Sequence, residues 1–382
     1  MALFPMAIIT IFWQDELGFS MTQIFAIKAV FAATLGILEL PSGFIADRIG
    51  YRKTLLIATG IMVGGWSIYL VADTFSIILC AEIVLGMGLS LMSGTDSAML
   101  YESLLREDKA HRFAVWQGRV RFFGQLAEGS TALVAGLLYA ISPRLPFVLQ
   151  VALYVGGLFI VLSLVEPTTH RVVVTEPLKR MKNILFGILN GSSRLRAVVF
   201  LTVILGITTY IPVWIIQVYA EEGGVPVEWL GPLWAAANYT VAIAALNSAR
   251  MSAGIGLLPS LLLCVVLAGF GYIGLGLVTA WWGFVFYFCI TAIRGIGITL
   301  MEHEEQKLIP SSDRASFISA RKLLFNSVFI VVGPIVGLLI DRLGNHAALL
   351  ITSVILLPAL CIGWFWLRNE LGKAGPVTPS AV

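Results

Sequence analysis

Residues 43–53 read Gly43-Phe44-Ile45-Ala46-Asp47-Arg48-Ile49-Gly50-Tyr51-Arg52-Lys53. Three cations and one acid stand here between two long apolar runs, 22–46 and 54–72. About 20 apolar helical residues cross the ~30 Å hydrocarbon core of a bilayer. The stretch therefore reads as a short polar turn between two membrane spans. Gly43 permits close helix approach. Asp47 is an anion at a helix end, where it can face the positive N-terminus of another helix. Arg48, Arg52 and Lys53 anchor the turn on the cytoplasmic side. A plain positive-inside anchor would use the same cations but would not require Asp47.

Working outward, spanning runs recur at 75–99, 113–141, 146–165, 197–219, 230–249, 254–279, 283–301, 315–340 and 347–367. Only 12% of the 382 residues are charged and 58% are hydrophobic, whereas soluble domains carry about 25% charged residues. So few charges cannot cover a soluble surface. This excludes a soluble enzyme, a disordered chain and a free nucleic-acid-binding domain, and a net charge of +3 is too small to suggest a nucleic-acid partner. Cys80, Cys264, Cys289 and Cys361 each lie inside an apolar run and read as small core residues. Met1–Trp13 is apolar but reaches only ~20 Å as a helix. It lacks the basic start and cleavage site of a signal peptide and is expected to be the second half of a spanning helix whose first half lies upstream.

With the Arg48–Lys53 turn inside, 17 Lys and Arg residues fall in cytoplasmic segments and two, Arg144 and Arg342, outside. That asymmetry sets the orientation and puts the C-terminus in the cytoplasm of a cell whose plasma (inner) membrane holds the chain. A polar stretch divides the spans. The expected organisation is an N-terminal bundle (1–166), a cytoplasmic linker (167–196), a C-terminal bundle (197–370) and a tail (371–382). Within the linker, Lys179–Phe186 reads either as an amphipathic helix on the inner membrane surface or as a solvated connector.

The two halves repeat. Gly86-Met87-Gly88-Leu89-Ser90-Leu91-Met92 is echoed by Gly295-Ile296-Gly297-Ile298-Thr299-Leu300-Met301, and Arg112 and Arg119 by Arg314 and Arg321. Parallel repeats about a central loop suggest a two-bundle transporter. The 43–53 stretch then resembles the G-x-x-x-D-R-x-G-R-[RK] loop of the major facilitator superfamily, with Tyr51 departing from the first basic residue of the final pair. The resemblance implies an all-α fold of two pseudo-symmetric six-helix bundles, the first helix incomplete, that works by alternating access. It also implies that Gly43, Asp47, Arg48, Gly50 and Arg52 help latch the halves on the cytoplasmic side. It implies a solute cavity lined by the first, fourth, seventh and tenth helices, hence Ser93, Tyr210, Trp214, Gln217, Tyr287 and Arg294. The fifth helix lacks the Gly-Pro pattern of many drug antiporters in the family, and Gly333-Pro334…Gly337 in the eleventh is the nearest likeness.

Charges inside spans are costly and therefore candidates for function. Lys28 lies ~12 Å inside the second helix and reads either as snorkelling outward or as a functional charge. Glu39, Glu82 and Glu128 are candidates for proton coupling, with Glu128, near mid-membrane, ranked first. Arg294 cannot deprotonate, so it must be paired or meet an anion. Near the cytoplasmic ends, Asp96 is expected to reach Arg119 and Glu305 to reach Arg321, with Glu102 an alternative partner for Arg52. Glu302-His303-Glu304-Glu305 lacks metal-ligand spacing, and the chain has no P-loop or nucleophile signature. No cofactor or metal and no enzymatic activity are expected. The expected partners are a small-molecule solute, protons and the lipid bilayer, with the chain acting as a monomer. Proton-coupled export leads, followed by uptake or facilitated diffusion, and then by a non-transporting receptor or scaffold.

Overall fold

The structure is a computed structural model describing residues 3–167, 186–188, 190–309 and 314–373. Every regular element among them is helical. Residues 4–16 form a short irregular start: a 3-10 turn (Phe4–Ala7), one α-turn (Ile9–Ile11) and a π-turn (Phe12–Glu16). Then follow α1 (Met21–Ile49), α2 (Tyr51–Ile68), α3 (Phe75–Met92), α4 (Thr95–Arg106), α5 (Phe113–Ile141) and α6 (Leu145–Ser163). After the linker come α7 (Ser193–Tyr210), α8 (Ile216–Glu222), α9 (Val227–Ile255), α10 (Leu257–Leu277), α11 (Val285–Ile293), α12 (Thr299–Leu308) and α13 (Arg314–Lys373). A π-helical stretch, Arg294–Ile298, joins α11 to α12, and α13 kinks at Gly344. Among the described residues, eight helical segments are long and apolar enough to cross a membrane. Lys179–Lys182 and most of the linker, and the tail beyond Lys373, lie outside the described residues.

Local chemistry sets the helix boundaries. Ser20 and Gln23 form a reciprocal cap that starts α1. Gly50 takes φ 108°, a conformation that favours glycine, and turns the chain from α1 into α2. In sequence the second-half counterpart of that turn reads as Asn247-Ser248-Ala249-Arg250, with one cation and no Asp, but the chain does not turn there. Those residues lie inside α9, and the chain turns at Gly256, φ 92°. The repeated glycine segments also differ. The first ends at Ser93 and Gly94, φ 83°, which breaks the expected 75–99 span into α3 and α4. The second runs on from α11 through the π-turn into α12, because Glu302 and His303 stand where the first half has Ser93 and Gly94.

The residues pack as two compact units that do not follow the sequence halves. One comprises Met1–Leu178, Gly224–Asn238 and Asn326–Asp341, the other Lys179–Gly223, Tyr239–Phe325 and Arg342–Val382. In the first unit an aromatic core gathers Phe12, Trp13, Trp66, Tyr69 and Phe147, with Tyr69 and Phe147 stacked at 5.1 Å. Small residues seat the later segments: a Cβ on Gly231 would strike the Ala132 carbonyl, one on Gly136 the Val227 carbonyl, and one on Gly337 would lie 2.7 Å from the Met21 carbonyl. The turn between α5 and α6 is tied down by Arg144, which donates to the carbonyls of Leu70 and Ala72. In the second unit Ala197, Leu201, Leu205, Cys264, Ala268, Ile293, Met301 and Leu360 form a continuous apolar core.

Candidate functional site

The first unit holds a buried ion pair. Lys28 on α1 donates to Glu82 Oε2 on α3 at 2.9 Å, and the Tyr69 hydroxyl donates to Glu82 Oε1 at 2.5 Å. Glu82 is 1% exposed and Lys28 6%. The ammonium also lies over the Trp13 and Phe31 rings, at 4.7 and 5.2 Å. Lys28 therefore does not snorkel outward. The Glu82 carboxylate and two aromatic faces within reach of its ammonium are a better home than a long climb to the interface. Of the other acids named for coupling, Glu39 and Glu128 are both half-buried. The Glu39 carbonyl accepts from Ser42 Oγ beside Pro41, and the Glu128 carbonyl accepts from Thr131.

The candidate cavity residues divide. Trp214, Gln217 and Tyr287 are buried, at 2–3% exposure. Ser93 is half-buried at the end of α3. Tyr210 is half-buried, edge-on to Trp214 and to Phe325. Arg294 is exposed at the start of the π-turn; its backbone N–H donates to the Ile290 and Thr291 carbonyls, and its guanidinium makes no ion pair or hydrogen bond among the described residues. A separate cavity of about 680 Å³ opens in the first unit, lined by residues that include Leu55, Asp96, Met99, Ser103, Arg106 and Leu164. Beside it, Lys109 holds the exposed Glu107 carboxyl below the usual carboxylate range, by a hydrogen bond and by its charge.

Among the expected gate pairs the structure forms one and not the others. In the second unit Arg321 Nε lies 3.1 Å from Glu305 Oε2, and Arg321 Nη2 lies 3.2 Å from Glu302. Glu304 is bound by Arg194 and Lys307, so the whole acidic run is engaged by cations. In the first unit Asp96 does not meet Arg119. The helix break at Gly94 leaves Asp96 exposed and accepting from the Ser97 N–H, while Arg119 lies over Trp116 on its own helix. Arg52 does not meet Glu102, because its guanidinium donates to the Leu162 carbonyl. Arg48 lies over Phe44, one turn back. The placements of Gly43 and of the Asp47 side chain lie outside the described residues.

Two carboxylates that sequence reasoning did not assign cap helices. Glu166 accepts from the N–H groups of Tyr51 and Arg52 at 2.8 and 2.7 Å, so the α2 N-terminus beside the 43–53 turn is capped from the end of α6. A Cβ on Gly50 would lie 3.0 Å from the same carboxylate. Asp341 does likewise for α1. Glu166 is an acid immediately after an apolar run. Asp341 sits in a second G-x-x-x-D-R-x-G string, Gly337…Gly344, at an end expected to face outward.

Long apolar helices, close glycine crossings and a buried intramembrane ion pair define a polytopic membrane protein. The chain belongs to the Major Facilitator Superfamily, whose family model matches residues 1–303. MFS-type transporters of Burkholderia mallei (strain SAVP1) and Burkholderia pseudomallei (strain K96243), both described as uncharacterized, are 25% identical to it over 370 residues, covering 92% of this chain and 84% of theirs. Among solved structures, the nucleoside transporter NupG superposes with a TM-score of 0.76 at 13% identity, covering 94% of each chain. A POT family transporter in complex with 5-aminolevulinic acid gives 0.73 at 15% identity, covering 95% of this chain and 92% of that one. At these identities the likeness to both structures is one of fold.

Proposed function

We propose that the chain is a secondary active transporter that moves a small organic solute by alternating access and exports it in exchange for protons. The observation that carries this reading is the Lys28–Glu82 pair. Buried ion pairs add little to stability over apolar replacements, and ionisable groups inside spans mark solute, ion and proton pathways. Protonation of Glu82 would remove its attraction for Lys28, whose ammonium keeps the faces of Trp13 and Phe31. Glu82 is thus the first choice for the coupling acid, ahead of Glu128 and Glu39. The Gly333-Pro334…Gly337 stretch, which packs on the start of α1, supports export over uptake through its likeness to the Gly-Pro pattern of antiporters.

In the same reading the 43–53 turn and the Glu305–Arg321 pair belong to a cytoplasmic gate. Asp47→Asn should raise cysteine accessibility from the cytoplasmic side of the cavity, and unchanged accessibility would leave the turn as an anchor. Everted vesicles test transport directly. Their inside-acid gradient, followed with acridine orange, should partly collapse when a solute from an amphipathic organic panel is added. Glu82→Gln should abolish the response. Vesicles that hold the gradient yet respond to no solute would defeat proton-coupled export.

A further inference from the structure

We infer that Arg294 is the anion-binding group of the solute site, and that the solute carries a carboxylate. The inference rests on the transport reading and adds the chemical class of the solute. Arg294 lies 13 residues from the start and 14 from the end of the Trp281–Leu308 span, about 20 Å along the helix from either end. A permanent cation at that depth is costly unless it meets water or an anion. The three acids on its own span, Glu302, Glu304 and Glu305, are bound to Arg194, Lys307 and Arg321.

The direction in which Arg294 leaves the helix separates lipid from interior. Nine residues, two and a half turns, separate it from Val285, so the two lie on opposite sides. Val285 is the exposed apolar side, which suits lipid. Seven residues, about two turns, separate Arg294 from Tyr287, which shares its face, lies within reach of its charge and is buried. The guanidinium is exposed on the helix face that buries Tyr287 and Ile290, away from the lipid-suited Val285 side, and is open to a solute there. The backbone beneath it is clamped. A Cβ on Gly295 would strike the Val241 carbonyl, and one on Gly297 would lie 3.2 Å from Leu205. The π-turn that begins at Arg294 is a backbone form concentrated at functional sites. A fixed fork of donors with no acceptor among the described residues fits the two oxygens of a carboxylate.

Thermal unfolding of the purified full chain tests this. The probes are benzoate, salicylate and indole-3-acetate, each set against its uncharged amide. At least one carboxylate should raise the Tm of the wild type where its amide does not. Arg294→Gln should bind that carboxylate about 10- to 100-fold more weakly, and Arg294→Lys should retain part of the effect. On the wild type, the same carboxylate should protect Arg294 from phenylglyoxal, read by peptide mass, which needs no variant to fold. The proposal is overturned if no carboxylate stabilises the wild type, if amides act equally, if Arg294→Gln leaves the shift unchanged, or if modification is not protected. Neutral or cationic solutes that collapse the vesicle gradient, with no carboxylate effect, would overturn this inference and leave transport standing. A silent gradient with Arg294-dependent carboxylate binding would do the reverse.

Discussion

Asp341 caps the helix that Met21 begins: its carboxylate accepts from the backbone N–H groups of Met21 and Thr22, each at 2.8 Å, across 320 and 319 residues of sequence. An anion on the first turn satisfies two orphan donors and faces the positive end of the helix dipole. Gly337, one turn earlier on α13, makes the approach possible, and Phe25 and Phe329 extend the contact as a ring pair at 6.3 Å.

Asp341→Asn should therefore speed amide hydrogen exchange at Met21 and Thr22 and cost about 1 kcal/mol, the worth of a typical cap. Exchange at the α2 N-terminus, which Glu166 caps, should stay as it is. Unchanged exchange at Met21 would show that the cap contributes nothing.

Lys28→Met or Glu82→Gln alone should each lower stability strongly, by about 3–5 kcal/mol, because each strands a buried charge or its polar partners. The double variant should recover most of that loss. Unfolding of the solubilised protein followed by tryptophan fluorescence would give all three values. A double variant as unstable as the singles would point to Tyr69 or Trp13, rather than the ion pair, as the element that matters.

Gly50→Ala should be costly on two counts. Its φ of 108° strains any side chain, at about 1–3 kcal/mol, and the new methyl would press on Glu166. Gly50→Ala combined with Glu166→Ala should relieve the contact but keep the strain, so the pair would be less than additive. Thermal melts of the four proteins decide it, and full additivity would mean that Gly50 and Glu166 act independently.

Gly231→Val should cost about 1–3 kcal/mol through overpacking, because its Cβ would fall on the Ala132 carbonyl. Gly118→Val, where a Cβ meets nothing within 4 Å, is the control and should leave the melt little changed. Equal melts for the two variants would contradict the close crossing of α5 and α9.

The apolar runs were legible because hydropathy is a one-dimensional signal. The run at 113–141 coincides with α5, and 22–46 with α1 to within a few residues. Pairings across the fold were legible only where both partners sit on intact helices. Glu305 finds Arg321 because the chain runs through α12 without a break, whereas Gly94 takes Asp96 away from Arg119. Lys28 looked like an interfacial residue because its depth was readable and Glu82, 54 positions away, was not its neighbour in sequence. The turn at Gly256 was missed because Arg250 drew the boundary to itself. It is the glycine's positive φ, not the nearest cation, that reverses the chain.

Segments 224–238 and 326–341 complete the first unit, and this bears on how the protein is made. At synthesis rates of about 5–20 residues per second, the ~160 residues between Leu178 and Asp341 emerge over roughly 8–30 s. Throughout that interval Met21 and Thr22 have no carboxylate on their amides, and the small-residue groove at Ala132 and Gly136 stands open for its first part, until Val227 and Gly231 emerge. The nascent N-terminal portion must therefore wait in the bilayer first with that groove uncovered and then with the start of α1 uncapped. The α1 cap is completed only when Asp341 leaves the ribosome.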